Sequence, residues 1–188
     1  LPIFFLISVL LGLAMGSGTV FSLHYGAGNH VALRRSIFSS FVLIGIVTLI
    51  LNVAVFIWLD PILRLLQVPQ DIYGMMRSYL WIIFCGIVFT FIYNFYASLL
   101  RAVGDSVTPL WFLAVSVVLN IALDLFFILQ LDWGIQGAAA ATVFAQGVAA
   151  LGIIIYTYRR RPELRWHHED MCFDRTCLKE IEIGRAHV

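Results

Sequence analysis

Long apolar runs alternate with short polar segments along the whole chain. Five runs, at about 1–23, 36–59, 79–100, 109–129 and 135–158, each reach the length of about 20 residues that a helix needs to cross a hydrocarbon core about 30 Å thick. None alternates with the period of two that marks a barrel strand of about 10 residues. The pattern predicts an all-α membrane protein with five transmembrane helices.

The breaks between runs carry turn chemistry. His24-Tyr25-Gly26-Ala27-Gly28-Asn29 closes the first run with two glycines suited to a helix stop. Thr108-Pro109 reads as an N-cap followed by proline at the first helical position. Asp132-Trp133-Gly134 makes the connection between the last two runs very short, so those helices are antiparallel neighbours. Trp58, Trp81, Trp111 and Trp133 fall near run ends, where interfacial aromatic belts sit. Two small-residue stripes, Gly12 with Gly16 and Gly137 with Ala141, Ala145 and Ala149, are expected to be close-packing faces.

Composition supports the bilayer as solvent. Of 188 residues, 61% are hydrophobic and 12% charged, with a mean hydropathy of +0.93. Soluble domains carry about 45–50% apolar and about 25% charged residues, and a chain of this length cannot hide the excess in a core. The net charge of +1 gives no general pull toward nucleic acid.

The arginines are unevenly placed. Arg34, Arg35, Arg101, Arg159, Arg160, Arg161 and Arg165 follow the first, third and fifth runs; only Arg64 and Arg77, near Asp60 and Asp71, follow the others. The first set is expected to be cytoplasmic, with residue 1 on the outer side of the plasma (inner) membrane. A chain entering from outside implies an earlier helix, so a remainder of the same chain is expected upstream. The start has no basic n-region and no cleavage site, unlike a signal peptide. Residues 166–188 read as a cytoplasmic connector tail, and residues after about Pro162 are expected to be loosely attached, since their composition offers no apolar face long enough to dock. The last six, 183–188, match the translation of a common sequencing adapter and are expected to be an artefact.

No Walker loop, GxSxG, HExxH or dinucleotide fingerprint is present, so no enzyme and no cofactor is expected. His167, His168, Cys172 and Cys177 have poor spacing for zinc and read as a solvated loop. Three cysteines, with Cys85 in an apolar run, give no disulfide framework. The informative residue is Asp124, the one ionisable group deep inside a run. An intramembrane carboxylate costs at least about 2.5 kcal/mol to insert and generally marks a pathway rather than helix glue. Ser116, Asn120 and Asp124 stack on one helical face at i, i+4 and i+8. Thr90, Asn94 and Ser98 form a similar stripe in the third run, and Thr142 and Gln146 another in the fifth. These stripes either line a shared aqueous cavity, with Asn94, Ser116 and Gln146 in its wall, or bond helices to one another.

Three strings resemble one family. Leu100-Arg101-Ala102-Val103-Gly104-Asp105-Ser106-Val107-Thr108-Pro109 is similar to the loop motif LRA-x-G-D-(S/T)-x-x-P of multidrug and toxin extrusion (MATE) transporters. Asn120-Ile121-Ala122-Leu123-Asp124, with Trp133-Gly134-Ile135-Gln136-Gly137-Ala138-Ala139 and Ala141-Thr142, resembles the helix-turn-helix that follows it. His24-Tyr25-Gly26-Ala27-Gly28 resembles the family's QYxGAG turn, with histidine at the usual glutamine. The resemblance covers about residues 1–165, as helices two to six.

It implies a partial amino-terminal lobe, five helices of a six-helix lobe that faces a second across a cleft. It also implies efflux of cationic or amphiphilic small molecules by antiport against Na+ or H+. Asn120, Asp124 and Thr142 match the family's amino-lobe cation site, whose remaining Asp lies on helix one. Partners implied are the small-molecule substrate, membrane lipid and the rest of the chain. Two alternatives stay open. One is a flippase for lipid-linked polysaccharide or cell-wall precursor in the same superfamily, which would carry more cationic cavity residues. The other is a non-transporting membrane subunit.

Overall fold

The computed structural model describes residues 2–65 and 67–164. They form five α-helices: α1 (Pro2–Gly26), α2 (His30–Leu65), α3 (Gln70–Ala102), α4 (Val107–Leu129) and α5 (Gly134–Arg160). A 3-10 turn, Pro162–Leu164, follows. Helices α2 to α5 are each long and apolar enough to cross a bilayer. The helices run past the apolar segments because polar ends continue them. Arg34 and Arg35 extend α2 at its start, and Asp60 and Arg64 extend it beyond an internal Pro61.

Helix α3 is the hub. It packs on α5 along one side and on α1 and α2 along the other, while α4 leans on α5 and touches α3 little. The apolar core lies on the α1–α2–α3 side, where Phe21, Leu33, Ile37, Phe84, Phe95, Leu99 and Leu100 are fully buried. Its centre is aromatic: Phe95 meets Phe21 edge-on at 5.9 Å and Phe41 at 5.2 Å, and Phe41 meets Phe91 at 5.3 Å. Such pairs add about 0.5–1.5 kcal/mol each to their area burial. Polar links tie the same side. Asn52 donates to the Phe84 carbonyl at 2.7 Å, and Ser98 to the Ala14 carbonyl at 2.8 Å.

On the other side, glycines let helices approach. A Cβ at Gly86 would run into Val143, and one at Gly152 would come within 2.6 Å of the Phe112 ring. Gly137, Ala141, Ala145 and Ala149 are buried, as a packing seam should be. Gly12 is exposed and Gly16 buried, and among the described residues a Cβ on either would meet nothing within 4 Å, so neither makes a close helix contact there. The close approach of α1 to α3 falls instead at Gly18, where a Cβ would come 2.9 Å from Ser98 Oγ.

Two further expectations change. Helix α4 is capped by Asp105, not Thr108, since Asp105 Oδ1 accepts the Thr108 N–H at 3.1 Å. Its carboxylate reaches three residues forward, the geometry of an N-cap. Leu164 docks into the core at 4% exposure, so the chain stays attached just beyond Pro162. Residues 166–188, with their histidines and cysteines, lie outside the described residues.

Candidate functional site

The α4–α5 hairpin sets the depth of the polar residues. Its turn uses positive φ at Asp132 (54°) and Gly134 (51°), and the Trp133 N–H bonds the Phe127 carbonyl at 3.1 Å. The Trp133 and Phe127 rings meet at 5.3 Å, tilted by 37°. A Cβ at Gly137 would come 3.0 Å from the Cβ of both, so glycine lets α5 leave the turn tight against α4.

Further along the hairpin, Asn120 Nδ2 donates to Thr142 Oγ1 at 3.2 Å. The Thr142 hydroxyl in turn donates to the Ala138 carbonyl at 3.0 Å. Asp124 lies one helical turn from Asn120, about 6 Å nearer the hairpin turn at 1.5 Å per residue. It is therefore not level with Thr142. Asp124 is half-buried, and its Oδ1 is shielded from solvent with no hydrogen-bond partner among the described residues. Two of the three residues are thus bonded to each other, and the carboxylate stands beside them.

A cavity of about 440 Å³ opens between α3, α4 and α5. Asn94, Ser116 and Gln146 all line it, together with Thr90, Tyr93 and Arg101. Thr90 donates to Gln146 Oε1 at 2.7 Å, and Asn94 Nδ2 donates to the Thr90 carbonyl at 2.8 Å. Ser98, the third member of the α3 stripe, turns the other way and bonds α1. The stripe is therefore divided: its first two residues face the cavity and its last one holds helices together. Asn120, Asp124 and Thr142 are not in the cavity wall, but Ser116, one turn from Asn120, joins the two groups.

Sequence reasoning missed Tyr93 and Arg101. Tyr93 counts as apolar in a hydropathy pattern, yet its hydroxyl donates to the Pro109 carbonyl at 2.8 Å and bridges α3 to α4. Arg101 serves as a topology marker in the sequence, yet it stands at the cavity rim.

The α3–α4 loop below the cavity is held by one carboxylate. Asp105 Oδ2 accepts the Thr108 hydroxyl at 2.9 Å and the Tyr156 hydroxyl at 3.2 Å, and Arg161 lies 3.9 Å away. Burial pushes the Asp105 carboxyl up, but the Thr108 amide and hydroxyl, the Tyr156 hydroxyl and the Arg161 charge outweigh it. The net effect holds it below the ordinary 3.8. At the opposite end, Tyr73 and Arg77 of α3 both donate to Asp60 of α2, at 2.9 and 3.0 Å. Among the described residues, no group of three His, Cys, Asp or Glu is placed to hold a metal ion.

Known proteins agree with this architecture. The "Probable multidrug resistance protein YpnP" of Bacillus subtilis is 37% identical over 155 residues, which is 82% of this chain and 35% of that protein. The "Probable multidrug resistance protein YoeA" of the same organism is 32% identical over 189 residues, 98% of this chain and 39% of that one. The chain thus spans well under half the length of these relatives. Among solved structures, the inward-facing conformation of a multidrug resistance MATE family transporter superposes with a TM-score of 0.87 at 24% identity. The match covers 99% of this chain and 43% of that one, and at that identity it speaks for the fold. The MatE family model matches residues 2–126, and the chain belongs to the MATE family.

Proposed function

We propose that this chain forms part of the amino-terminal lobe of a cation-coupled multidrug antiporter of the plasma membrane, with Asp124 as its coupling residue and Asn120 and Thr142 as neutral partners. The observation that carries the reading is the shielded, unpartnered Oδ1 of Asp124 beside the Asn120–Thr142 bond. An intramembrane carboxylate without a fixed partner is costly unless an ion comes and goes there. Of the two ions, the proton asks less of this arrangement. Sodium takes several oxygen ligands, and Asn120 would have to release Thr142 and turn its own oxygen toward Asp124. Occupancy drives transport by favouring one access state of the lobe over the other. The start of α2 with Arg34 and Arg35, the end of α3 with Arg101 and the end of α5 with Arg159 and Arg160 face the cytoplasm in this reading.

The test is efflux of an amphiphilic cation from proteoliposomes holding the intact transporter, driven by an imposed pH or sodium gradient. Efflux under a pH gradient, with little loss in Thr142→Val, is expected. Absence of efflux under either gradient rejects the function, and strict sodium dependence abolished by Thr142→Val rejects the choice of ion.

A further inference from the structure

We propose that residues 161–164 form a releasable strap, which locks the α4–α5 hairpin to α2 at the end of the bundle where α3 and α5 finish. The need for a lock follows from the packing. Among the described elements, α1 and α2 do not pack directly on α4 or α5, so the hairpin that carries Asn120, Asp124 and Thr142 is joined to the aromatic core through α3. That joint is built of small residues, Gly86 on α3 and Ala141, Ala145 and Ala149 on α5. Short side chains bring helices close without interlocking them, and helices packed in this way can shift past one another in shear.

The strap bypasses that joint. Pro162 ends α5, because proline cannot continue the helical hydrogen bonding and pushes the preceding Arg161 out of helical backbone, to φ −129° and ψ 69°. The chain then closes the 3-10 turn Pro162–Leu164, with the Leu164 N–H donating to the Arg161 carbonyl at 3.0 Å. The two ends of this turn hold different partners. Leu164, 4% exposed, sits in the apolar core cluster with Leu33 and Ile37 of α2, and the turn touches α2 as well as α5. The Arg161 guanidinium lies 3.9 Å from Oδ2 of Asp105, the residue that caps α4 and accepts the Tyr156 hydroxyl of α5, and 3.6 Å from Glu163. Within four residues, an apolar anchor grips α2 and a charged anchor grips the start of α4. The charged anchor is a long, partly exposed ion pair and holds little by itself. The lock therefore depends on both anchors and opens when either lets go. The inference concerns residues separate from Asp124 and stands whether or not that residue couples transport.

The test is a spin-label distance measurement between α2 and α4 in the intact transporter in detergent, with its native cysteines replaced by serine. Val31→Cys and Val107→Cys carry the labels, since both positions lie in the first turns of their helices and are 48% and 60% exposed. With the strap unaltered, one principal distance is expected. Leu164→Ser and Arg161→Gln are each expected to raise the population of a second distance about tenfold, and the double variant is expected to match the singles, because cutting either anchor opens the same strap. Arg161→Lys keeps the charge and is expected to keep the original distribution. Size exclusion and thermal midpoint report that each variant is folded; if Leu164→Ser fails to fold, Arg161→Gln, which alters only a partly exposed pair, carries the test. An unchanged distribution in Arg161→Gln overturns the proposal. So does a double variant whose shift is the sum of the singles, which would make the anchors two independent contacts, and so does a second distance that already dominates with the strap unaltered.

Discussion

The two sides of α3 are built on different principles. Toward α1 and α2 it presents the buried Phe84, Phe91 and Phe95 to an aromatic core. Toward α4 and α5 it presents Thr90, Tyr93 and Asn94 to a cavity, and its closest approach there is a glycine, Gly86 against Val143. Polar groups in the aromatic half are mostly spent on neighbouring backbone, as with Asn52 and Ser98. Its unpartnered hydroxyls, Ser39 and Ser40, are neutral and cost far less to bury than a carboxylate, and the one guanidinium nitrogen in the same position, Nε of Arg35, belongs to the charged first turns of α2 rather than to the middle of the bundle. Among the described residues, the polar half instead keeps Oδ1 of Asp124 without a partner, and no carboxylate lines its cavity beside Arg101. One half joins α1 and α2 to α3 through large side chains; the other joins α5 to α3 through small ones and encloses the cavity. Within the polar half α4 is the exposed member: its buried residues are Pro109 and Ser116, whereas α5 buries nine.

If that division is right, the largest stability effect belongs to the aromatic half. Phe95→Ala removes the ring that contacts Phe21, Phe41, Phe91 and Tyr96, and is expected to cost about 3–5 kcal/mol, as for other buried Phe truncations. Thermal unfolding in detergent reads this, and a midpoint near wild type would dissolve the distinction. Gly86→Ala comes next, because its new methyl meets Val143 across α3–α5. Overpacking of this kind costs about 1–3 kcal/mol, visible as a lowered midpoint that Val143→Ala restores.

Asp105→Ala removes the cap of α4, worth about 1 kcal/mol. Because its folded pKa is lowered, the Asp105 contribution is fully present above the ordinary 3.8 and is lost as pH falls through the lower folded value. Asp105→Asn is therefore expected to flatten the acid limb of a stability–pH profile; an unchanged limb assigns acid unfolding to other carboxylates. The smallest effect is expected from Arg77→Gln, since its pair with Asp60 is about half exposed on both sides. A large loss there would mean that the α2–α3 end is tied electrostatically.

The helices were legible because apolar runs of bilayer length have few other solutions in lipid. The α4–α5 hairpin was legible for a related reason, since Asp132-Trp133-Gly134 leaves no room for anything but an antiparallel turn. The grouping of Asn94, Ser116 and Gln146 was offered by helical spacing, with interhelical bonding left as the rival. Thr90 shows both uses at once, facing the cavity and bonding Gln146. What spacing could not give was the partner of each face. Gly12 with Gly16 has the same spacing as a packing motif yet meets open space, whereas Gly18 makes the contact. Asp105 was hidden as cap because Thr108-Pro109 supplied a plausible start one turn later, and the choice was made by Tyr156 and Arg161, some fifty residues away.

The central claim is that the polar half works while the aromatic half holds, and Asp124→Asn tests it most directly. The substitution removes a charge with almost no change in volume, in a side chain whose Oδ1 has no partner to lose. The measurement is gradient-driven efflux per folded molecule in proteoliposomes of the intact transporter, with folded protein quantified by size exclusion and thermal midpoint. The account predicts a wild-type midpoint with efflux reduced to the no-gradient rate. Wild-type efflux with unchanged ion dependence would contradict it, and Asp124 would then be a polar contact between helices.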